Sequence, residues 1–389
     1  MSKTHKLSGA LLVDADGERR GDLYFRDGKI LSVGPVEQAF DEELKLDGLS
    51  LLPAFIDLHT HLRDPGLTYK EDMESGMRAA LQGGYAHVCA MANTKPVIET
   101  PELVEANLRK ASRLRLCRLT QAAAAGVGLK DETPTDREAL SRVTKLLSND
   151  GQTIFSDEFM RQLLLDSRSY GFLISTHCQP ERKIVRRDLQ LLALTGGRLH
   201  IGHISHRETL EAIRQAKAQG LRFSCEVTPH HLLGHDSAYR VNPPLRSLED
   251  TRALLEGCRD GSIDCLSTDH APHSPQDKAQ GMAGISNIEY AFSIFWRLFQ
   301  ENGIPLSRLS QMASQTPARL LGRNAGLLRP GMDADLVVVD TKAVRVLREQ
   351  DMVSRSHNTP FGGEKLLGRV LYTIVEGEIR YAYDGRAGL

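Results

Sequence analysis

The spacing of apolar residues changes rhythm twice along the chain. Through residue 50, short apolar pieces alternate with turn signals. GALLVDADG, GDLYFRDGKILSVG and EELKLDGLSLL carry D-G or R-D-G-K between them, the pattern of short strands joined by hairpins. The carboxyl-terminal part reads the same way, with DADLVVVD and then GRVLYTIVEGEIRYAYDG. Between about Leu51 and Gly326 the pattern becomes strand then helix, repeated. Apolar strand candidates end at His59, Asn93, Gln121, Asp150, His177, His203, His230 and Asp269, which makes eight. Capping signals punctuate the amphipathic stretches between them. Ser205 and Glu208 form an S-x-x-E pair, with Leu210 and Ile213 as the apolar stripe behind it and Gly220 to close the helix. Thr100-Pro101 and Thr316-Pro317 read as N-cap then first helical residue. Ser156 caps a helix whose first turn carries Asp157 and Glu158.

Eight buried strands alternating with helices predict an α/β fold, a (β/α)8 TIM-type barrel over residues 51–326. A small composite β domain formed by both termini, residues 1–50 and 327–389, is expected beside it. In such a barrel the functional residues sit at the carboxyl ends of the strands. The polar residues at these strand ends are what a site requires and a merely structural barrel does not.

Composition narrows the function. Forty-one per cent hydrophobic residues in 389 support a sizeable core and exclude wholesale disorder. Forty-nine Lys and Arg against fifty Asp and Glu give a formal charge of −1, without the basic excess that nucleic-acid or anionic-membrane binding needs. No run approaches the roughly eighteen apolar residues of a membrane span. The amino-terminal apolar piece is too short, and too broken by Asp and Arg, to read as a signal peptide. Cys89, Cys117, Cys178, Cys225, Cys258 and Cys265 form no C-x-x-C pair, so buried, reduced thiols in a cytoplasmic protein are expected. No G-x-G-x-x-G is present to bind a nucleotide.

His59-Thr60-His61 follows the apolar LLPAFID. Two histidines at i and i+2 of a strand point to the same side and can reach one metal ion. Alone, the pair is better explained as two hydrogen-bonded histidines. The context is stronger: His177 ends FLISTH, His203 ends LHIGH, Asp150 ends KLLSND and Asp269 ends DCLSTD. Nitrogen and carboxylate ligands of this kind suit Zn²⁺ and its neighbours. Six ligands exceed one tetrahedral zinc but suit two ions that share a bridging carboxylate and activate a hydroxide.

FIDLHTHLRDPG, AMANTKPVIE, EVTPHHLL, VNPPLR, STDHAPH and NTPFGG, running from about Gly48 to the carboxyl end, resemble the dihydroorotases, cyclic amidohydrolases of the amidohydrolase superfamily. HLRDPG with Asn93 and NPPLR favours that group over hydantoinases and allantoinases. The resemblance implies the barrel with its composite β domain and two zinc ions per chain. It implies that His59, His61 and Asp269 bind the first ion, that His177 and His203 bind the second, and that Asp150 bridges them. Lys145, the alternative source of a bridge, lies too far back along its strand. Asp269 would also be the general acid/base. Arg63, Asn93 and His273 would hold the substrate carboxylate, with Asn242 near the ring. The implied reaction is reversible opening of dihydroorotate to N-carbamoyl-L-aspartate by a metal-bound hydroxide, in pyrimidine biosynthesis. The alternatives are a hydantoinase- or allantoinase-like ring opener, or a low-activity partner of aspartate carbamoyltransferase. A homo-oligomer is expected.

Three segments depart from the family pattern. Cys178-Gln179-Pro180-Glu181 stands where Cys-Glu-Asp and a long insertion are usual, Asn149 replaces the first of two aspartates, and Gln280-Gly281-Met282-Ala283-Gly284 lacks a Pro-Gly pair. His230 and His231 read as supporting residues, and His87, His200, His206, His235 and His357 as surface or core. Phe292, Phe295 and Trp296 read as the core face of a helix.

Overall fold

The computed structural model describes residues 2–35 and 38–383, so residues 1, 36, 37 and 384–389 of the expected β domain lie outside it. Both ends of the chain enter one eight-stranded sheet. Ser50–Pro53 lies between His5–Asp14, its parallel neighbour, and Leu336–Val346, its antiparallel one. The hairpin Gly17–Arg26 to Lys29–Gly34 turns at Asp27 (φ 52°) and Gly28 (φ 69°). Two successive positive φ angles make the tight turn that matches strand twist, and the D-G signal anticipated it. Alternation along Leu336–Val346 serves two cores. Leu336 and Val338 join the sheet's own cluster with Leu12, Phe25 and Ile374, while Val337 and Val339 face the barrel cluster.

Eight parallel strands form the barrel: Phe55–Thr60, Tyr85–Ala90, Arg118–Gln121, Leu146–Ser148, Leu173–Thr176, Leu199–Ile201, Ser224–Val227 and Cys265–Leu266. They run as continuous ladders of three and five strands. Two parallel bridges join the ladders, Ala123 with Leu147 and Thr60 with His270. The His61 amide donates to the His270 carbonyl at 2.8 Å, so the seam between first and last strand lies under the expected site. A further cluster ties Ile56, Cys89, Leu146, Leu173 and Cys265 to Ala318 of the helix Thr316–Leu321.

Several local expectations need correction. His59 lies within the first strand and Gln121 ends the third, but Asn93, Asp150, His177, His203, His230 and Asp269 lie beyond their strands. The strands are shorter than the apolar runs because the chain leaves the ladder at the barrel mouth. His230 sits in the short helix Pro229–Leu233. Gln121 belongs to the core, bonded to Asn107 and to the Ala90 and Ala122 carbonyls. Ser205 caps nothing: its hydroxyl and amide both go to Glu181, and His206 caps Arg207–Ala218. Thr316 is already helical (φ −64°), because the preceding helical segment runs into it without a break. The caps Thr100 and Ser156 form as expected, accepting from Leu103 and Phe159 amides. All six cysteines are buried and unpaired. Among the described residues, no helix is long and apolar enough to cross a membrane.

The helix Ile288–Glu301 joins barrel and sheet. Phe292 stacks on Phe55 of the first strand at 5.6 Å between centroids, and Ser293 donates to the Gly368 carbonyl of Lys365–Val375. Trp296 is only partly buried and donates to the Thr341 carbonyl. Gly368 cannot carry a side chain, since a Cβ would stand 2.9 Å from the Phe292 ring. Phe292→Ala is expected to cost about 3–5 kcal/mol, the usual range for emptying a packed aromatic site. Denaturant unfolding checks this; a loss below about 1 kcal/mol would mean that the joint does not hold the two units together.

Candidate active site

The period of the first strand and the closing of the barrel bring six side chains to one point. His59 Nε2 lies 3.2 Å from Asp150 Oδ1 and 3.7 Å from Asp269 Oδ1. His61 Nε2 lies 3.3 Å from Asp150 Oδ2 and 3.0 Å from Asp269 Oδ1. His177 turns Nδ1, and His203 Nε2, to within 3.4 Å of Asp150 Oδ1. Each of these side chains is under a tenth exposed. Local backbone strain contributes to the aim. Arg63 (φ 57°), His203 (φ 30°) and Asp269 (φ 45°) all occupy the left-handed region, at about 1–3 kcal/mol each. Lys145 points away and donates to the Ser141 carbonyl, which leaves Asp150 as the central carboxylate.

Protonation states can be read from the partners behind the cluster. His59 Nδ1 lies 2.8 Å from Glu226 Oε1, and Glu226 is fully buried on the seventh strand. A carboxylate only accepts, so the proton is on Nδ1 and Nε2 presents a lone pair. That Nε2 is buried and has no hydrogen-bond partner. His61 likewise sets Nδ1 2.9 Å from Asn93 Oδ1 and turns Nε2 inward. Lone pairs therefore face carboxylate oxygens, an arrangement that a cation relieves. The titration directions differ across the cluster, since burial and then Arg63 push His61 below its ordinary value. Burial opposes a charge on His59, yet Asp150 and Glu226 hold it well above its ordinary value. Burial also opposes ionisation of Asp150, but His59, His177 and His203 hold its carboxyl well below the usual range. His59, Asp150 and His203, and His59, His61 and Asp269, each place donor atoms within 4.8 Å of one another. The donor set fits a divalent metal site.

Above the cluster opens a cavity of about 490 Å³. Arg63, Asn93, Asn242 and His273 all line it. Arg63 Nε donates to the Pro272 carbonyl, and its Nη2 lies 3.2 Å from His273 Nε2. The Asn242 amide lies 3.1 Å from His177 Nε2. Lys70 and Lys95 also face the cavity. His230 and His231 stay outside it, paired with Asn287 and with Thr228 and the Pro243 carbonyl.

Three supporting residues were missed by sequence reasoning: Glu226, Lys70 and Asn358. Glu226 had a readable signal, an acidic residue inside the buried strand SCEV, where it must be paired. It also meets His200 Nε2 at 2.9 Å and accepts from Ser267. Asn358 lies in the NTPFGG run; its Oδ1 accepts from the His273 amide at 2.9 Å.

The pattern that defines the Amidohydrolase family matches residues 50–380. The chain belongs to that family. Its relatives include a dihydroorotase of Clostridium botulinum (strain Eklund 17B / Type B), 36% identical over 392 residues, covering 96% of this chain and 98% of that one. A dihydroorotase of Deinococcus radiodurans is 38% identical over 373 residues, covering 86% and 89%. The fold matches an L-hydantoinase (dihydropyrimidinase) from Arthrobacter aurescens with a TM-score of 0.90 at 23% identity, covering 97% and 96%. A D-hydantoinase matches at 0.87, also at 23%. These structures carry the TIM-type barrel expected from the sequence.

Glu226 holds His59 in the tautomer that offers Nε2. Glu226→Gln should therefore weaken metal binding about 10–100-fold, as loss of such outer partners does. Chelator titration with elemental analysis checks it; native affinity in the variant would remove Glu226 from the site.

Proposed function

We propose that this cavity is the active site of a dihydroorotase. The observation that carries the reading is one cavity in which a buried arginine and histidine stand beside a buried cluster of four histidines and two aspartates. Full-length relatives with that name support it. The uncharged rings of hydantoinases fit less well, because the buried Arg63 guanidinium calls for an anion.

His59, His61 and Asp269 would hold one divalent ion and His177 and His203 a second, with Asp150 between them; zinc suits the nitrogen and oxygen donors. Such ions, when bound, polarise a carbonyl and lower the pKa of water from about 15.7 toward 7. The chain's own groups do the rest. Arg63, His273 and Asn93 orient the ring through its carboxylate, and Asn242 lies at its side. Burial opposes ionisation of Asp269, but the imidazoles of His61 and His59 beside it hold its carboxyl below the usual range. It enters as a base, takes a proton from the attacking water, and returns it to the ring nitrogen as the C–N bond breaks. The product is N-carbamoyl-L-aspartate, and the reverse sequence closes the ring. We place the enzyme in pyrimidine synthesis in the cytoplasm. Self-association or docking to aspartate carbamoyltransferase is compatible with this role, and gel filtration of the chain with and without that enzyme tests it.

Asp269→Asn keeps size and polarity but cannot shuttle the proton. Turnover of dihydroorotate should fall about 10²–10⁴-fold with a near-native melting temperature. Stability and activity falling together would make Asp269 a structural cap instead. Arg63→Met should lose about 2–5 kcal/mol in kcat/KM for dihydroorotate and much less for an uncharged hydantoin. Equal losses on both rings would show that Arg63 does not read the carboxylate.

A further inference from the structure

His273 is caught between two donors. Its Nε2 faces Arg63 Nη2 at 3.2 Å, and its Nδ1 faces Lys70 Nζ at 3.2 Å. Guanidinium and ammonium groups have no acceptor, and a neutral imidazole has a single lone pair. One of the two contacts therefore sets N–H against N–H. A second proton on the ring would worsen both. Burial, with Arg63 and then Lys70, pushes His273 down to about 3, so the ring stays neutral. Lys70 is 5% exposed, and Asp277 Oδ1 lies 3.4 Å from its Nζ. Asp277 is itself fixed as the acceptor for the Ser274 amide and hydroxyl.

We propose that Lys70 is a positioning residue for carboxylate recognition: it occupies the Nδ1 lone pair of His273, which places the ring proton on Nε2 and directs it, with Arg63, at one anion. The inference rests on the reading that Arg63 and His273 hold the substrate carboxylate. A carboxylate oxygen between them replaces the opposed N–H groups with two charge-assisted hydrogen bonds, the one from Arg63 joining two opposite charges. Without Lys70 the proton is free to move to Nδ1. Nε2 then accepts from Arg63, and the pair closes on itself.

The test is a double-mutant cycle on the zinc-loaded enzyme, with kcat and KM for dihydroorotate and melting temperatures. Lys70→Met should raise KM about tenfold and leave kcat within about twofold, the size of one lost hydrogen bond to a charged group. Lys70→Arg, which keeps a cationic donor, should recover most of KM. In a His273→Ala background, Lys70→Met should change KM by less than about twofold, because the two act as one unit. The same factor in both backgrounds overturns the proposal, as does a joint fall of kcat and melting temperature with KM unchanged. If His273→Ala raises KM and Lys70→Met does not, the Lys70 role falls and the carboxylate reading stands. A native KM in His273→Ala overturns both.

Discussion

The burial of negative charge at the barrel mouth is the constraint on which the rest of the structure depends. Asp150, Asp269 and Glu226 are 4%, 7% and 0% exposed. Uncompensated, each would cost several kcal/mol. Four imidazoles from three other strand regions offset that cost, and the arrangement is complete only with further positive charge, since lone pairs face carboxylate oxygens. A barrel supplies the geometry because parallel strands deliver side chains from distant parts of the chain to one rim. The ring is pinned where the site needs it. Asp57 accepts from the His59 and Thr268 amides and ties first strand to last, and burial pushes its carboxyl up to about 7.

The terminal segments contribute more than a lid over apolar surface. Residues 353–358 leave the composite sheet and run beside the barrel mouth. Glu289 accepts from the Val353 and Ser354 amides, and Glu71 accepts from the Ser354 hydroxyl and the Arg355 amide. Asn358 then donates to the Ala271 and Gly284 carbonyls while accepting from His273. The residue proposed to read the carboxylate is thus positioned from outside the barrel. Gly284 completes the fit: with φ near 149°, it approaches so closely that a Cβ would lie 2.7 Å from the His273 ring.

Much of this was legible in the sequence, for identifiable reasons. Strand-then-helix alternation and D-G turns are local signals, and they yielded the barrel and both ends of the sheet. The six clustered His and Asp residues were legible because each follows an apolar run, and a barrel converts that position into proximity. Failures arose where a long-range partner overrode a local signal. Ser205 fits a capping box with Glu208, but Glu181, far off in sequence, takes both its polar groups. Thr316-Pro317 looks like a helix start, but helical structure already reaches it from Leu306. Lys70 lies in an exposed-looking TYKED, and nothing local says that its side chain is buried against His273.

The departures from the family pattern can be judged by what those residues do. Asn149, in place of an aspartate, takes no part in the cluster. Its Oδ1 accepts from the Ala125 and Gly126 amides at 2.9 and 3.1 Å, and its Nδ2 donates to the Leu129 and Lys130 carbonyls at 3.1 and 3.3 Å. Only an amide can serve both pairs; an ionised aspartate would face two carbonyls with no proton to give. The short link after His177 is also accounted for. Gln179 donates its amide to Thr153, and Glu181 opens the next helix while holding Ser205 and His206 beside the sixth strand. In the Gln280–Gly284 segment, Lys278 donates to the Arg240, Met282 and Gly284 carbonyls and sets the loop against the cavity without a Pro-Gly turn. Asn149, Glu181 and Lys278 satisfy their polar groups within these segments, whereas the Gln179 side-chain nitrogen is buried without a partner. The six clustered His and Asp side chains and the Arg63–His273 pair are therefore flanked by segments that make these local contacts of their own.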